Sequence, residues 1–440
     1  MMAAATLAEE SRKDGGTDVE ILLFEKNAYL GAKVLISGGG RCNVTTGIFD
    51  VRKLLESYPR GAKFLMSAMY RFSPEKVMEW FETHGVRLKV EDDLRVFPRS
   101  NQGKDVVGVF EKILKENGVR VLLNANVGSV HSLREQLVPP AESFSEVLVS
   151  STESSSELPK FLLELKSGEK FEVDVLVLTT GGNAYRQTGS TGDGYAFAKE
   201  LGHSLTDFAP SLSSLLVKEP WISKLAGVSF EKVELSFDSS LHSVRATGSK
   251  VKKYRRTGAF VFTHRGLSGP AVFALSAMAA YEKFEHNSPG FLKINFFPDK
   301  NAEDMKKIFT DLVLRNPRKH LVHVLDFLLP KSLAEIFVEL SKVDPRLTVA
   351  DLRKDQIFQL LQLFQAFPLT VVGRSAGEEF VTAGGVKLDE VNTNTMESKI
   401  CPGLYFAGEI LDVDGFTGGF NLQAAWATGR LIGEKLLLVE

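Results

Sequence analysis

The residues of this sequence that can do chemistry are grouped in short glycine-rich stretches. The first of them reads Ser-Gly-Gly-Gly-Arg-Cys-Asn over residues 37–43. Consecutive glycines carry no Cβ, so their N–H groups can approach a ligand closely. An arginine and an amide side chain follow directly, and such a loop suits a phosphate group or a planar polar ring. The alternative, for a glycine run taken alone, is a tight turn between two elements.

An acidic residue at the end of a predicted strand favours the ligand-binding interpretation. Residues 3–12 predict a helix, residues 14–18 a turn, and residues 19–24 an apolar strand buried on both faces. The strand ends at Glu25. In dinucleotide-binding βαβ units, an acid at this position accepts hydrogen bonds from ribose hydroxyls. The alternative for Glu25 is a solvated strand end.

Two glycine-rich stretches follow in the middle of the chain. A predicted buried strand over 171–178 ends in Thr-Thr-Gly-Gly-Asn at 179–183, where the glycine pair again allows the backbone to approach a ligand. Residues 188–194, Thr-Gly-Ser-Thr-Gly-Asp-Gly, then open a predicted helix over 195–201. The N-terminus of a helix attracts anions. The alternative for 188–194 is a flexible surface loop.

The last stretch repeats this arrangement near the end of the chain. A short apolar strand ends in Gly408-Glu409, which lets a carboxylate reach a polyol chain. A glycine-containing loop over 411–423 then leads into a predicted helix over 424–437. The free N–H groups at the start of that helix can face developing negative charge.

The first half of the βαβ unit is missing from the sequence. No strand and no G-x-G-x-x-G turn precede the first predicted helix, and that turn would normally hold a pyrophosphate at the helix N-terminus. We therefore expect either an N-terminally truncated chain or a protein with weakened cofactor binding.

Composition bounds the class of protein. The 440 residues predict two or three domains, and 44 % hydrophobic with 25 % charged residues is typical of a globular protein. A net charge of −2 argues against a dedicated nucleic-acid binder, and no apolar run has the length of a membrane span. The two cysteines, Cys42 and Cys401, form no CxxC pair, so no metal site or dithiol centre is predicted. We expect a reducing compartment such as the cytoplasm, and no targeting signal is visible.

The chain changes character near residue 206. Residues 212–262 read as short alternating strands of a barrel-like module, and 301–367 as helices whose Phe and Leu stripes form a core. We expect a first domain part over 1–205 with a Ser/Glu/Pro-rich mobile loop at 138–159, an inserted domain over 206–378, and a second part over 379–440. The basic run at 252–256 is expected to be a solvated face, with partner binding as the alternative.

Taken together, the stretches resemble the family of FAD-dependent oxidoreductases called BaiN-like or YhiN-like flavoproteins. The resemblance implies an α/β fold, a discontinuous Rossmann-type FAD-binding domain with an inserted β-barrel plus helical domain. The motifs that carry it are SGGGRCN at 37–43, TGSTGDG at 188–194, FTHRGLSGPAV at 262–272, TMESK at 395–399 and GLYFAGEILDVDGFTGGFNLQ at 403–423.

The resemblance also implies roles for single residues. Glu25 would bind the adenosine ribose, the backbone of Val127 would contact the adenine, and Glu409 would lie near the ribityl chain. The loop 38–43 would lie along the flavin and pyrophosphate, and 419–423 would present N–H groups to the pyrimidine edge of the flavin. The full predicted set is Glu25, Lys26, Gly38, Gly39, Gly40, Arg41, Cys42, Asn43, Val127, Thr180, Gly181, Gly182, Gly192, Asp193, Gly408, Glu409, Asp414, Gly415, Gly419, Asn421, Leu422 and Gln423.

The function that the resemblance implies is a flavin reductase. A nicotinamide, NADH or NADPH, would pass hydride to flavin N5, and the flavin would reduce an unidentified small organic substrate. Arg41 is expected to support negative charge on the flavin or pyrophosphate, and Cys42 to be a packed thiol, with a redox role as the alternative. No residue is singled out as proton donor; Tyr185, His203 and His264 are candidates by chemistry alone.

Two other interpretations remain open. One is a non-catalytic flavoprotein remnant with weakened FAD binding, and the other is a flavin enzyme that acts on RNA. The substrate, the choice between NADH and NADPH and the oligomeric state do not follow from the sequence.

Overall fold

The computed structural model describes residues 1–12, 19–133, 160–238, 252–375, 377 and 379–437. The predicted turn at 14–18 and the Ser/Glu/Pro-rich segment at 138–159 lie outside the described residues. The chain divides into two compact units, residues 1–209 with 381–440, and residues 210–380.

The first unit mixes helices with short strands. Its helices are Met2–Ser11, Ala32–Ile36, Val51–Leu55, Ala62–Arg71, Pro74–Thr83, Gly103–Glu116, Asp193–Glu200 and Phe420–Leu436, and its 3₁₀ turns are Ser37–Gly40, Arg186–Thr188, Leu388–Glu390 and Gly408–Ile410. Its strands are Leu22–Phe24, Thr45–Thr46, Leu88–Val90, Arg95–Pro98, Arg120–Leu122, Val127–Ser132, Phe161–Leu165, Lys170–Val173, Leu176–Leu178, Val381–Ala383 and Leu404–Phe406, and Ala209–Ser211 lies at the boundary between the units.

Two parallel strand pairs position the loops of interest. Leu22–Phe24 pairs with Arg120–Leu122, and Leu176–Leu178 pairs with Leu404–Phe406 with Leu178 opposite Phe406. Because parallel strands end at the same edge of a sheet, the glycine-rich residues after 178 and after 406 leave the sheet side by side.

An aromatic cluster holds the helices of this unit together. Trp80 stacks on Phe110 at 5.3 Å and Phe110 stacks on Trp426 at 5.5 Å between ring centroids. Trp426 also donates its ring N–H to the carbonyl of Val44 at 3.0 Å. The helix Phe420–Leu436 is therefore tied directly to the residue that follows the glycine-rich loop 37–43.

Several element boundaries differ from those predicted. The last helix begins at Phe420 rather than at 424, because Gly419 adopts a φ of +86° and caps it. The first strand covers only Leu22–Phe24 and is half-buried rather than buried on both faces, since among the described strands it pairs only with Arg120–Leu122. Ser73 caps the helix that begins at Pro74, and its hydroxyl accepts the N–H of Lys76.

The second unit contains a closed antiparallel barrel of six strands. Around the barrel the strands are Leu215–Val217, Gly266–Ser268, Lys253–Phe262, Ser229–Asp238, Gly290–Asn295 and Phe367–Arg374. Its helices are Pro270–Met278, Ala302–Arg315, Leu321–Leu325, Lys331–Ser341 and Lys354–Gln365, and its 3₁₀ turns are Pro220–Leu225 and Val349–Asp351.

The core of the second unit is apolar, as its Phe and Leu stripes predict. Phe309, Phe337 and Phe364 are fully buried in one cluster with the inward residues of the barrel. Lys252, Lys253 and Arg255 of the basic run are exposed. No described helix in either unit combines the length and the apolar character needed to cross a bilayer.

Candidate cofactor-binding site

The carboxylate of Glu409 lies where three of the predicted stretches meet. Its Oε2 forms an ion pair with Lys33 Nζ at 2.5 Å, and Lys33 lies in the helix just before the glycine run. Its Oε1 accepts the N–H of Thr382 at 3.0 Å. Gly182 lies against the same carboxylate, since a Cβ at position 182 would stand 2.7 Å from Oε1. The helix 32–36, the loop after Leu178 and the loop after Phe406 thus converge on one acidic group.

A second junction forms at the end of the first strand. Lys26 Nζ donates to Thr191 Oγ1 and to Asp193 Oδ2, both at 2.5 Å, and Asn27 donates its amide to the carbonyl of Thr188 at 3.0 Å. The Glu25 carbonyl accepts the N–H of Ala125, two residues before Val127. Glu25, Val127 and the stretch 188–194 therefore share one edge of the unit.

The two junctions are linked through Thr180. A Cβ at Gly194 would lie 1.9 Å from the Thr180 hydroxyl, so the start of the helix Asp193–Glu200 rests on the strand end that leads to Gly181 and Gly182. The second junction is therefore connected to the Glu409 junction through residues 180–182.

The glycine loop Gly38–Gly40 has an open backbone. Gly38, Gly39 and Gly40 have φ values of +56°, +69° and +86°, and all three are exposed. A Cβ at Gly39 would meet no atom within 4 Å. Successive backbone N–H groups in a turn of this kind can form a concave site for an anion.

The N-terminus of the last helix lies beside this loop. The first i→i−4 bond of that helix runs from the N–H of Gln423 to the carbonyl of Gly419, so the N–H groups of residues 420–422 precede it. A Cβ at Gly419 would lie 2.2 Å from the carbonyl oxygen of Thr45, two residues after Asn43. Gly408, from the Glu409 junction, donates its N–H to Thr428 of the same helix at 3.1 Å.

Several predicted side chains are engaged within the protein. Arg41 pairs with Glu91, donates to Asn101 at 3.1 Å and stacks 3.8 Å above the ring centre of Phe97. Its predicted support of flavin or pyrophosphate charge stays a prediction and would require these contacts to open.

Three more predicted residues hold loops together through their side chains. Asn43 Oδ1 accepts the N–H of Val96, Asp414 forms a two-pronged ion pair with Arg60, and Gln423 bonds to Thr45 and to the carbonyl of Phe72. Asn421 makes both amide bonds to the main chain of Gly415. These residues, together with Leu422, can offer a ligand their main chain.

Cys42 is a packed thiol in this structure. Its side chain is 0 % exposed, and burial raises the pKa of the thiol to about 12. Because the thiolate is the reactive form, we expect Cys42 to resist an alkylating or disulfide reagent in the native protein while the half-buried Cys401 reacts first. Thiol counts before and after denaturation check this, and two fast-reacting thiols in the native protein would contradict it.

The three proton-donor candidates named from chemistry alone differ in their exposure. His203 is fully buried, with Nε2 at 2.7 Å from Ser398 Oγ and Nδ1 at 3.2 Å from Glu390. His264 is exposed on the turn before Gly266, in the second unit, and Tyr185 is half-buried next to the 3₁₀ turn Arg186–Thr188.

Sequence reasoning missed two residues of the site. Lys33 carries the cation of the Glu409 junction, and its position one helical turn before the glycine run was a usable signal. Thr382 had no such signal, because it reaches Glu409 only through the fold.

The residues fit an elongated dinucleotide that ends in a planar ring. The two junctions offer the carboxylates of Glu409 and Glu25 and the cation of Lys33. The glycine loop and the start of the 17-residue last helix offer backbone N–H groups. These are the groups that ribose or ribityl hydroxyls, phosphates and the electron-rich edge of a flavin require.

An α/β unit with two parallel strand pairs, each followed by a ligand-facing loop in the predicted set, has the architecture of a Rossmann-type domain. The family model described as HI0933-like protein Rossmann domain matches residues 1–435, and the chain belongs to that family. This confirms the predicted family, fold class and enzyme class, a flavin-dependent oxidoreductase with a Rossmann-type FAD-binding domain.

Similar proteins match over nearly the whole chain. A 3-dehydro-bile acid delta(4,6)-reductase of Clostridium scindens is 28 % identical over 96 % of this chain and 93 % of its own length. A ribosomal RNA dihydrouridine synthase of Escherichia coli is 27 % identical over 95 % and 92 %. Among solved structures, a 3-ketosteroid delta1-dehydrogenase of Sterolibacterium denitrificans covers 100 % of this chain and 97 % of its own at 11 % identity, with a TM-score of 0.46.

Proposed function

We propose that the protein is an FAD-dependent reductase that takes electrons from NADH or NADPH and reduces a carbon–carbon double bond conjugated to a carbonyl group. The observation that supports the proposal is a set of three contacts around the loop Gly38–Gly40. Lys33, before the loop, pairs with Glu409. After the loop, Val44 accepts from Trp426 of the last helix, and Gly419 packs against Thr45. An arrangement of this kind can hold a dinucleotide with its ring at the helix N-terminus.

The names of the similar proteins support the choice of reaction. A reductase of a 3-dehydro steroid with delta(4,6) unsaturation acts on double bonds conjugated to a ketone. A dihydrouridine synthase saturates the uracil ring, whose double bond is conjugated to a ring carbonyl. Both names describe two-electron reduction of an unsaturated carbonyl compound, which is why we assign that substrate class to this chain.

The chain's own groups would do the following work. Glu25 would accept hydrogen bonds from the ribose hydroxyls, and Glu409 would accept them from the ribityl hydroxyls. The N–H groups of Gly38–Gly40, together with Lys33, would hold the pyrophosphate. The N–H groups of residues 420–422 would face the pyrimidine edge, where we expect them to stabilise negative charge by a few kcal/mol. When bound, the flavin supplies the two-electron chemistry between nicotinamide and substrate.

The test begins with the purified full chain. We expect a yellow protein that carries or takes up FAD, consumes NADH or NADPH, and does so faster when a conjugated ketone is added. A saturated ketone of the same skeleton is the matched control and should add nothing. A chain that binds FAD but transfers no electrons to any conjugated carbonyl compound would contradict the proposed reaction.

The main alternative is a flavoprotein remnant with weakened FAD binding and no catalysis. A colourless protein that added FAD does not turn yellow would favour it over the reductase.

RNA as the substrate is a separate candidate, favoured by the names of two relatives. The absence of a nucleic-acid partner stays a prediction from the near-neutral charge. Reduction of uridine in ribosomal RNA, compared with a free conjugated ketone in the same assay, separates the two substrate classes.

A further inference from the structure

We propose that Asp412 is the proton donor of this reductase. The inference rests on the proposed function and adds to it the acid that completes the reduction. It starts from a half-buried carboxyl group one of whose oxygen atoms has no hydrogen-bond donor.

The carboxyl group of Asp412 is half-buried, and its Oδ1 is fully buried and accepts no hydrogen bond from any described residue. A buried carboxylate oxygen without a donor costs free energy when the group is charged. Such a group in a folded protein calls for an explanation, and a catalytic role is one of those known.

The position of Asp412 points to catalysis. It lies on the segment between Glu409, which would hold the ribityl chain, and Gly419, which begins the helix facing the flavin edge. In the proposed binding mode this segment runs beside the ring system. The hydroxyl of Tyr195 donates to the carbonyl of Glu409 at 3.4 Å, and the charges of Glu409 and Asp412 both act on that phenol.

The surroundings of Asp412 favour its protonated form. Burial raises the pKa of its carboxyl group, and the neighbouring carboxylate of Asp414 adds to the effect. Hydrogen bonds from the Thr206 side chain and the Gly384 main chain, together with the charge of Arg60, lower the pKa but do not cancel the effect of burial. Burial together with the charges of Glu409 and Asp412 also raises the pKa of Tyr195, which keeps that phenol protonated.

The step that needs this proton is defined by the proposed reaction. The β carbon of the conjugated double bond receives a hydride, which carries both electrons and comes ultimately from NADH or NADPH. The α carbon must then receive one proton for a neutral saturated product to form. Asp412 gives its proton to that carbon, becomes a carboxylate, and regains a proton from water through its exposed side.

The test compares Asp412→Asn with the wild type in the two half-reactions. We expect reduction of bound FAD by NADH or NADPH to proceed at the wild-type rate, and reoxidation by a conjugated ketone to slow about a hundredfold or more. The wild-type reoxidation rate should fall as pH rises through the pKa of Asp412, and the variant should lose this dependence. Asp207→Asn, which changes an exposed acid in the same region, is the matched control and should behave as wild type.

A second readout does not depend on turnover. A carboxyl group whose folded pKa lies above its unfolded value contributes stability that is present at low pH and lost as pH rises through the folded pKa. Asp412→Asn should therefore raise the Tm relative to wild type at about pH 8 and change it little at about pH 4, near the unfolded Asp value. Asp207→Asn should show no such pH-dependent gain.

The outcomes separate this inference from the proposed function. Equal reoxidation rates in Asp412→Asn and wild type, a loss of FAD from the variant, or no pH-dependent gain in Tm would each overturn the role of Asp412. A wild-type protein that reduces no conjugated carbonyl compound would instead overturn the proposed function. Slow reoxidation with normal flavin reduction and a higher Tm at alkaline pH is the supporting result.

Discussion

Replacing Gly419 with alanine is expected to destabilise the protein and to remove most of its bound FAD. Gly419 has a φ of +86°, and a Cβ there would lie 2.2 Å from the Thr45 carbonyl oxygen, 2.5 Å from its carbon and 2.9 Å from its Cα. The left-handed conformation alone costs a residue with a Cβ about 1–2 kcal/mol. The contact with rigid backbone adds to this, because the helix start must move away from the loop 37–43.

The displacement matters for function as well as for stability. The N–H groups of residues 420–422 would no longer face the position proposed for the flavin. We expect a loss of at least about 2 kcal/mol in the free energy of unfolding by urea, and a drop of tenfold or more, on the order of 1.4 kcal/mol, in FAD affinity.

The control is a glycine in a regular helix. Gly108 lies inside the helix Gly103–Glu116, and a Cβ there would meet no atom within 4 Å. Gly108→Ala should stabilise the protein by roughly 0.5–1 kcal/mol, since alanine favours the helix interior. Similar urea curves and FAD content for Gly419→Ala and Gly108→Ala would show that position 419 tolerates a side chain and would remove this element from the proposed site.

Replacing Asp414 with asparagine is the second change with a large expected effect. The Asp414 carboxylate is 0 % exposed and accepts from Nε and Nη2 of Arg60, whose side chain is 14 % exposed. Breaking a buried ion pair by neutralising one partner costs about 3–5 kcal/mol, because the remaining charge stays in a poorly solvated place. We expect a loss of that size in the free energy of unfolding.

The comparison is an ion pair at the surface. Asp344 and Arg346 lie 2.8 Å apart and are both well exposed, so Asp344→Asn should leave the unfolding curve unchanged. The contrast is needed because Asp414 is one of the predicted cofactor-binding residues. If Asp414→Asn lost FAD without losing stability, the carboxylate would serve the ligand rather than Arg60, and our interpretation of the pair would be wrong.

Much of the candidate site could be predicted from local sequence. Glycine runs after strands and before helices predict places where a ligand can approach the backbone, and this pattern gives candidate loops at 38–40, 181–182, 408–409 and 415–419. The loops after Leu178 and Phe406 lie side by side because Leu176–Leu178 pairs in parallel with Leu404–Phe406. Parallel strands end at a common edge, so buried apolar strands followed by glycine predict neighbouring loops.

The side-chain partners could not be predicted in the same way. Arg41 stands next to the glycine run, yet its guanidinium is engaged by Glu91 and Phe97. Glu409 is paired with Lys33, a residue 376 positions away along the chain. Which charged groups face each other depends on how the strands and helices pack, and no spacing rule within one segment carries that information.

By itself, the sequence determined the class of fold and the family, and it predicted where a ligand could approach the backbone, because these depend on local glycine, acid and hydrophobic patterns. Only the tertiary structure decided which of the predicted side chains are engaged within the protein and which buried oxygen atoms lack a donor. Asp412 illustrates the difference. In the sequence it is one acid among many, and only packing against distant residues leaves its Oδ1 buried without a hydrogen bond.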